Sequence, residues 1–79
     1  MTAKEIQRDH QRLLNNLKLL QTTFRVKPLC DALGFNSKAT WFNRMKEPWR
    51  LFSYDDFKIL SRFCKVDFVQ LVDGELKVR

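Results

Sequence analysis

The chain has 79 residues, of which 44% are hydrophobic and 30% charged, with seven Phe, two Trp and a formal net charge of +6. That length suits one small domain with a modest core, and so many large apolar residues exclude a disordered chain. The positive charge favours an anionic partner, of which nucleic acid is the commonest for a small basic domain.

Only two Gly and two Pro punctuate the sequence, and it has no useful run of alternating β-branched residues. An all-α, single domain over residues 1–79 is therefore expected, without linker or repeat. The first helix is expected from about Ala3 to Gln21, with Ile6, Leu13, Leu17 and Leu20 at helical spacing and Phe24 continuing the stripe. Leu14 and Leu19 fall outside that stripe, where they widen the buried face or offer a partner surface.

The second helix is expected from about Lys27 to Leu33, with Pro28 in its first turn, where a missing amide hydrogen costs nothing. Gly34 stops it, because glycine takes positive φ without a steric penalty. The third helix is expected from about Ser37 to Lys46, capped by Asn36 or Ser37 and closed ahead of Pro48. Ala39, Phe42 and Met45 are read as its inward face, leaving Lys38, Thr40, Asn43 and Arg44 outward.

Ser53 to Asp56 has the form of a capping box and opens a fourth helix with Phe57, Leu60, Ser61 and Cys64 on one face. A break near Lys65 and Val66 leads to Asp67, the expected cap of a short fifth helix carrying Phe68, Leu71 and Val72. Asp73 and Gly74 end it, and residues 75–79 are expected to fray.

Charge is concentrated in the middle of the chain. Between Arg25 and Arg50 stand Arg25, Lys27, Lys38, Arg44, Lys46 and Arg50, against only Asp31 and Glu47. Cys30 and Cys64 form no CxxC pair and have only His10 as a further soft ligand, so no metal and no cofactor is expected, and both thiols are expected in the core. With no run of about 18 apolar residues and a polar N-terminus, neither a membrane span nor a secretory signal is expected, and a cytoplasmic location is the default.

The spacing of five helices, the segment LCDALGF at Leu29 to Phe35 and the closing pattern FKILSRFCKVDFVQLV at Phe57 to Val72 together resemble the lambda-repressor-like helix-turn-helix family, which includes phage repressors, Cro and many bacterial regulators. The resemblance covers roughly Leu17 to Val72. It implies a compact five-helix lambda-repressor-like helix-turn-helix domain with a long first helix. It also implies sequence-specific binding of double-stranded DNA, in a transcriptional regulator of phage or mobile-element type acting as a homodimer. The chain departs from the family pattern in three places. Val26 stands where the family often has a DNA-contacting glutamine, Glu47, Pro48 and Trp49 replace a frequent glycine, and the turn reads one residue longer.

In such proteins the first turns of the third helix enter the major groove, whose base edges present a distinct pattern for each pair. The positions so implicated in base contact are Lys38, Thr40 and Trp41, followed by Asn43 and Arg44. Arg25 and Lys27 on one side, and Lys46 and Arg50 on the other, suit phosphate contacts, which give affinity and register rather than sequence choice. Ser37 either caps the helix or touches a phosphate. For Trp41 and Trp49 the alternative to a surface role is packing in the core or of the loop onto the body.

An enzyme is not expected, since there is one histidine, no nucleophile with a nearby base and no glycine-rich phosphate loop. A second functional class stays open: a helical module that keeps this fold but binds a protein partner through Val26, Trp41 and Phe52 as exposed aromatic or apolar anchors.

Overall fold

Leu13, Leu17 and Leu20 recur at helical spacing and are buried together, with Asn16 in the same stripe. In the computed structural model, which describes residues 3–76, they lie on α1 (Ala3–Phe24). Five further helices follow: α2 (Val26–Leu33), α3 (Lys38–Arg44), α4 (Pro48–Leu51), α5 (Tyr54–Cys64) and α6 (Phe68–Asp73). The described residues contain no strand.

Among the described residues the count is six helices rather than the expected five. The addition is α4, a single turn with Pro48 at its first position and Glu47 as its N-cap. Glu-Pro reads as a helix stop, yet proline is also at home at the start of a new helix, and a four-residue element has no periodicity by which to announce itself. Ile6 is 41% exposed and so belongs to no core stripe. The first six residues of α1 are all exposed.

One core joins five of the helices and Phe52, the residue that ends α4. Leu13, Leu17 and Leu20 from α1 meet Leu29 and Cys30 from α2, Trp41 from α3, Phe52, then Phe57, Leu60 and Cys64 from α5 and Leu71 from α6. α1 packs against α6, α4 and α2, while α2 packs against α5 and α3. The radius of gyration, 12.0 Å, is that of a compact chain of this length. No helix among the described residues is long and apolar enough to cross a membrane.

The local signals behave as their chemistry requires. Ser53 and Asp56 form a reciprocal capping box, with the Asp56 amide donating to Ser53 Oγ at 3.1 Å and the Ser53 amide to Asp56 Oδ2 at 3.0 Å. Asp67 caps α6 by accepting from the Gln70 amide. Gly34 sits at φ 77°, its amide donating to the Asp31 carbonyl and that of Phe35 to the Cys30 carbonyl, the paired bonds of a Schellman ending. Lys65 closes α5 with the same pair of bonds at φ 55°.

Residues 75 and 76 are not frayed. Asn16 Nδ2 donates to the carbonyls of Leu71 and Gly74, both at 2.9 Å, and of Gln70 at 3.2 Å, while its Oδ1 accepts from the Leu76 amide at 3.0 Å. A polar side chain in the α1 stripe thus satisfies the carbonyl end of α6 and holds the chain beyond it. The remainder of the expected tail lies outside the described residues.

Candidate nucleic-acid interface

The segment between α1 and α4 carries the candidate face. α1 runs into α2 through one residue, Arg25, held at φ 73° and ψ 159°, a region that side chains seldom occupy and that stores strain of order 1–3 kcal/mol. The sharp junction leaves Arg25 and Lys27 exposed at the start of α2. Residues 34–37 then connect α2 to α3.

Trp41 fixes which side of α3 faces out. It is fully buried, its Nε1 donates to Gln21 Oε1 of α1 at 2.8 Å, and its ring meets Phe52 edge-on at 5.5 Å. Trp41 is therefore removed from the base-contacting set, because its indole is spent on the core. The expected inward face is corrected with it. Phe42 is 49% exposed and Ala39 is exposed, while Met45 does pack against the core.

Arg44 is drawn inward on the same side as Trp41. Its Nη1 donates to the Leu51 carbonyl, the guanidinium stands 3.9 Å from Asp56 Oδ2, and its carbon lies 4.8 Å from the centre of the Phe35 ring. Those contacts tie α3 to the end of α4 and the start of α5. Arg44 is thus a structural clasp here, in place of the groove-reading arginine expected of that position.

The other implicated residues divide by exposure. Lys38 and Asn43 are exposed and Thr40 is half-buried, all on α3; Lys46 is exposed just past its end. The side chains of Lys38, Asn43, Lys46, Arg25 and Lys27 make no hydrogen bond or ion pair among the described residues. Arg50 is exposed but paired with Glu47 one turn before it. Ser37 occupies the N-cap position of α3 without making a side-chain capping bond, so its expected capping role is not taken up; its carbonyl accepts from the Cys30 thiol.

Lys27 and Lys38 face one open depression between α2 and α3, together with Asp31, Asn36 and Ser37. Cys30 lies beneath it, its thiol pushed up by burial and then by the Asp31 carboxylate, against a smaller opposing pull from Lys38. Cys64, buried at the end of α5, is raised by burial to about 11. Both are buried thiols, and the raised pKa of each disfavours the reactive thiolate. Among the described residues no group of His, Cys, Asp and Glu could hold a metal ion.

Two outward residues were missed from the sequence: Ala39 and Phe42. Reading α3 in the alternative register, with Trp41 and Arg44 inward, would have exposed them. Phe42 also lines a depression against α1 with Leu14, Met45 and Gln21. Beyond Leu14 the surface continues to His10 and Trp49, whose rings stack at 4.0 Å and 2°. That contact places His10 against α4 instead of in open solvent and packs Trp49 onto the body.

The chain matches no family model, no curated protein and no solved structure. α3 offers Lys38, Ala39, Phe42 and Asn43 on its solvent side, with Arg25 and Lys27 before it and Lys46 after. One ammonium with rotatable hydrogens, one amide that both donates and accepts, and two apolar groups give this face the chemistry to meet base edges and thymine methyls.

Proposed function

We propose that this protein is a sequence-specific double-stranded-DNA-binding protein of lambda-repressor-like helix-turn-helix type, acting as a dimeric transcriptional regulator. The observation that carries the reading is the outward face of α3, where exposed polar groups without intramolecular partners stand between unpaired cations. Asn43 would bind adenine through its bidentate N6 and N7 pattern, and Lys38 would reach guanine O6 and N7. Phe42 and Ala39 would lie against thymine methyls, roles that fall to them once Trp41 turns inward.

Arg25, Lys27 and Lys46 would grip phosphates on either side of that helix, and Ser37, whose hydroxyl is free of the helix end, would add a neutral contact. Arg50 would contribute less, since Glu47 already neutralises it. Selecting bound sequences from a random duplex pool tests the reading. A defined half-site should emerge, and its affinity should fall with salt at a slope of about −3 per subunit for three phosphate contacts. Recovery of unenriched sequences, or binding that ignores salt, would refute it.

A protein-binding role is the second reading, and one observation favours it: the exposed ring of Phe42 beside Leu14 and Met45. The anchors expected for it are poorly placed, since Trp41 and Phe52 are buried and Val26 is half-buried. Phe42→Ala separates the two. It should alter preference at a thymine position if the ring reads DNA, and leave DNA affinity untouched if the ring serves a protein.

A further inference from the structure

α5 turns Phe57, Leu60 and Cys64 into the core and a different set of residues toward solvent. With 3.6 residues per turn, Asp55, Ile59 and Arg62 fall within about 60° of one another on the outer side, and Phe63 borders them. Ile59 is 38% exposed and Phe63 41%, and the Phe24 ring at the end of α1 extends the apolar strip, 6.0 Å from that of Phe63. Asp55 and Arg62 are both exposed. Neither side chain has an ion pair or hydrogen bond among the described residues, in contrast to that of Asp56, which faces Arg44 and caps the helix.

The order of these groups along the helix is the informative part. An unpaired acid and an unpaired base stand two turns apart, about 10 Å at the α-helical rise, with an exposed isoleucine close to midway. Laid against itself in antiparallel sense, such a face matches acid to base at both ends and isoleucine to isoleucine in the middle. Laid parallel, it sets like charges together. A surface complementary to its own copy under a two-fold rotation is the signature of an isologous contact.

We propose that this face of α5 joins two copies of the chain, helix against antiparallel helix, about a two-fold axis passing beside Ile59. Asp55 of each copy meets Arg62 of the partner subunit, giving two equivalent ion pairs that flank the Ile59 contact, while Phe63 closes the edge. The strip is small, so association of the free protein is weak, with a dissociation constant on the order of 100 μM. The inference takes up the dimer of the proposed function, but it is carried by α5 alone and not by the face of α3.

Sedimentation of the whole chain over concentrations up to about ten times that constant tests the interface. Wild type should shift from monomer to dimer. Asp55→Arg and Arg62→Asp should each weaken the dimer roughly tenfold, because two attractive pairs become repulsive, and combining them should restore it. Both reversals also oppose the helix dipole of α5, so a second measurement avoids them. Ile59→Cys should cross-link to a disulfide dimer under mild oxidation, whereas Val69→Cys, 59% exposed on α6, should not.

A wild type that stays monomeric, reversals without effect in folded protein, or equal cross-linking at both positions would overturn the interface. The DNA reading fails separately. A monomer that still binds a selected duplex refutes only the α5 contact, and a dimer with no duplex preference refutes only the role of α3.

Discussion

The indole Nε1 of Trp41 donates a hydrogen bond to Gln21 Oε1 at 2.8 Å, joining α3 to α1 across the core. α3 has only seven residues, so this one buried ring sets the rotation of the helix about its own axis. Removing the acceptor by Gln21→Ala leaves the indole N–H of a buried ring without its partner, and stability should fall by roughly 1–3 kcal/mol in urea unfolding. Replacing the donor as well, by Trp41→Phe, should cost less than the sum of the two single changes, because the orphaned group is gone.

Asn16 is the other buried polar tie, 2% exposed with all its hydrogen-bonding capacity engaged by residues 70–76. Asn16→Ala should lower stability by about 2 kcal/mol, since α6 loses the donor that satisfies its last carbonyls. Hydrogen exchange gives the sharper readout. The Leu76 amide and the α6 amides should exchange faster in the variant, while those of α2 and α5 change only as global stability does.

Arg44 is predicted to matter for folding and not for base choice. Arg44→Ala removes the bond to the Leu51 carbonyl and the stacking on Phe35, and should cost about 1–2 kcal/mol. At temperatures where the variant is fully folded, its preferred DNA sequence should be unchanged. A changed preference in folded protein would return Arg44 to the reading face.

Cys64 predicts a pH dependence at the alkaline end. Burial raises its thiol from 9.0 to about 11, so the unfolded chain loses this proton before the folded one does. The contribution to stability is complete below about pH 9 and is lost progressively as pH rises toward 11. Urea unfolding of wild type and Cys64→Ala at pH 8 and pH 10.5 isolates it from other titrating groups. The gap between the two proteins should narrow at the higher pH.

Helix positions with chemically distinctive ends were legible in the sequence, because capping is local. Gly34, the pair Ser53 and Asp56, and Asp67 each announce an element boundary by the bond their own side chain or backbone makes. The register of α3 was not legible. Trp41 and Phe42 are adjacent aromatics in a two-turn helix, and periodicity over so few residues permits either to point inward. The deciding partners, Gln21 and Phe52, lie 20 residues before and 11 after Trp41 in the sequence. The role of Asn16 is hidden in the sequence for a related reason: a polar residue in a leucine stripe makes sense only once the carbonyls of α6 are brought to it.

Whether the outward face of α3 reads DNA is tested most directly by comparing wild type and Asn43→Ala on a duplex selected by wild type and on a scrambled duplex, at one salt concentration. Loss of a bidentate amide contact should weaken binding to the selected duplex by about tenfold or more and leave the scrambled duplex unchanged. If folded Asn43→Ala keeps the wild-type preference between the two duplexes, and folded Phe42→Ala keeps it as well, then α3 does not read base sequence and the proposed function is wrong.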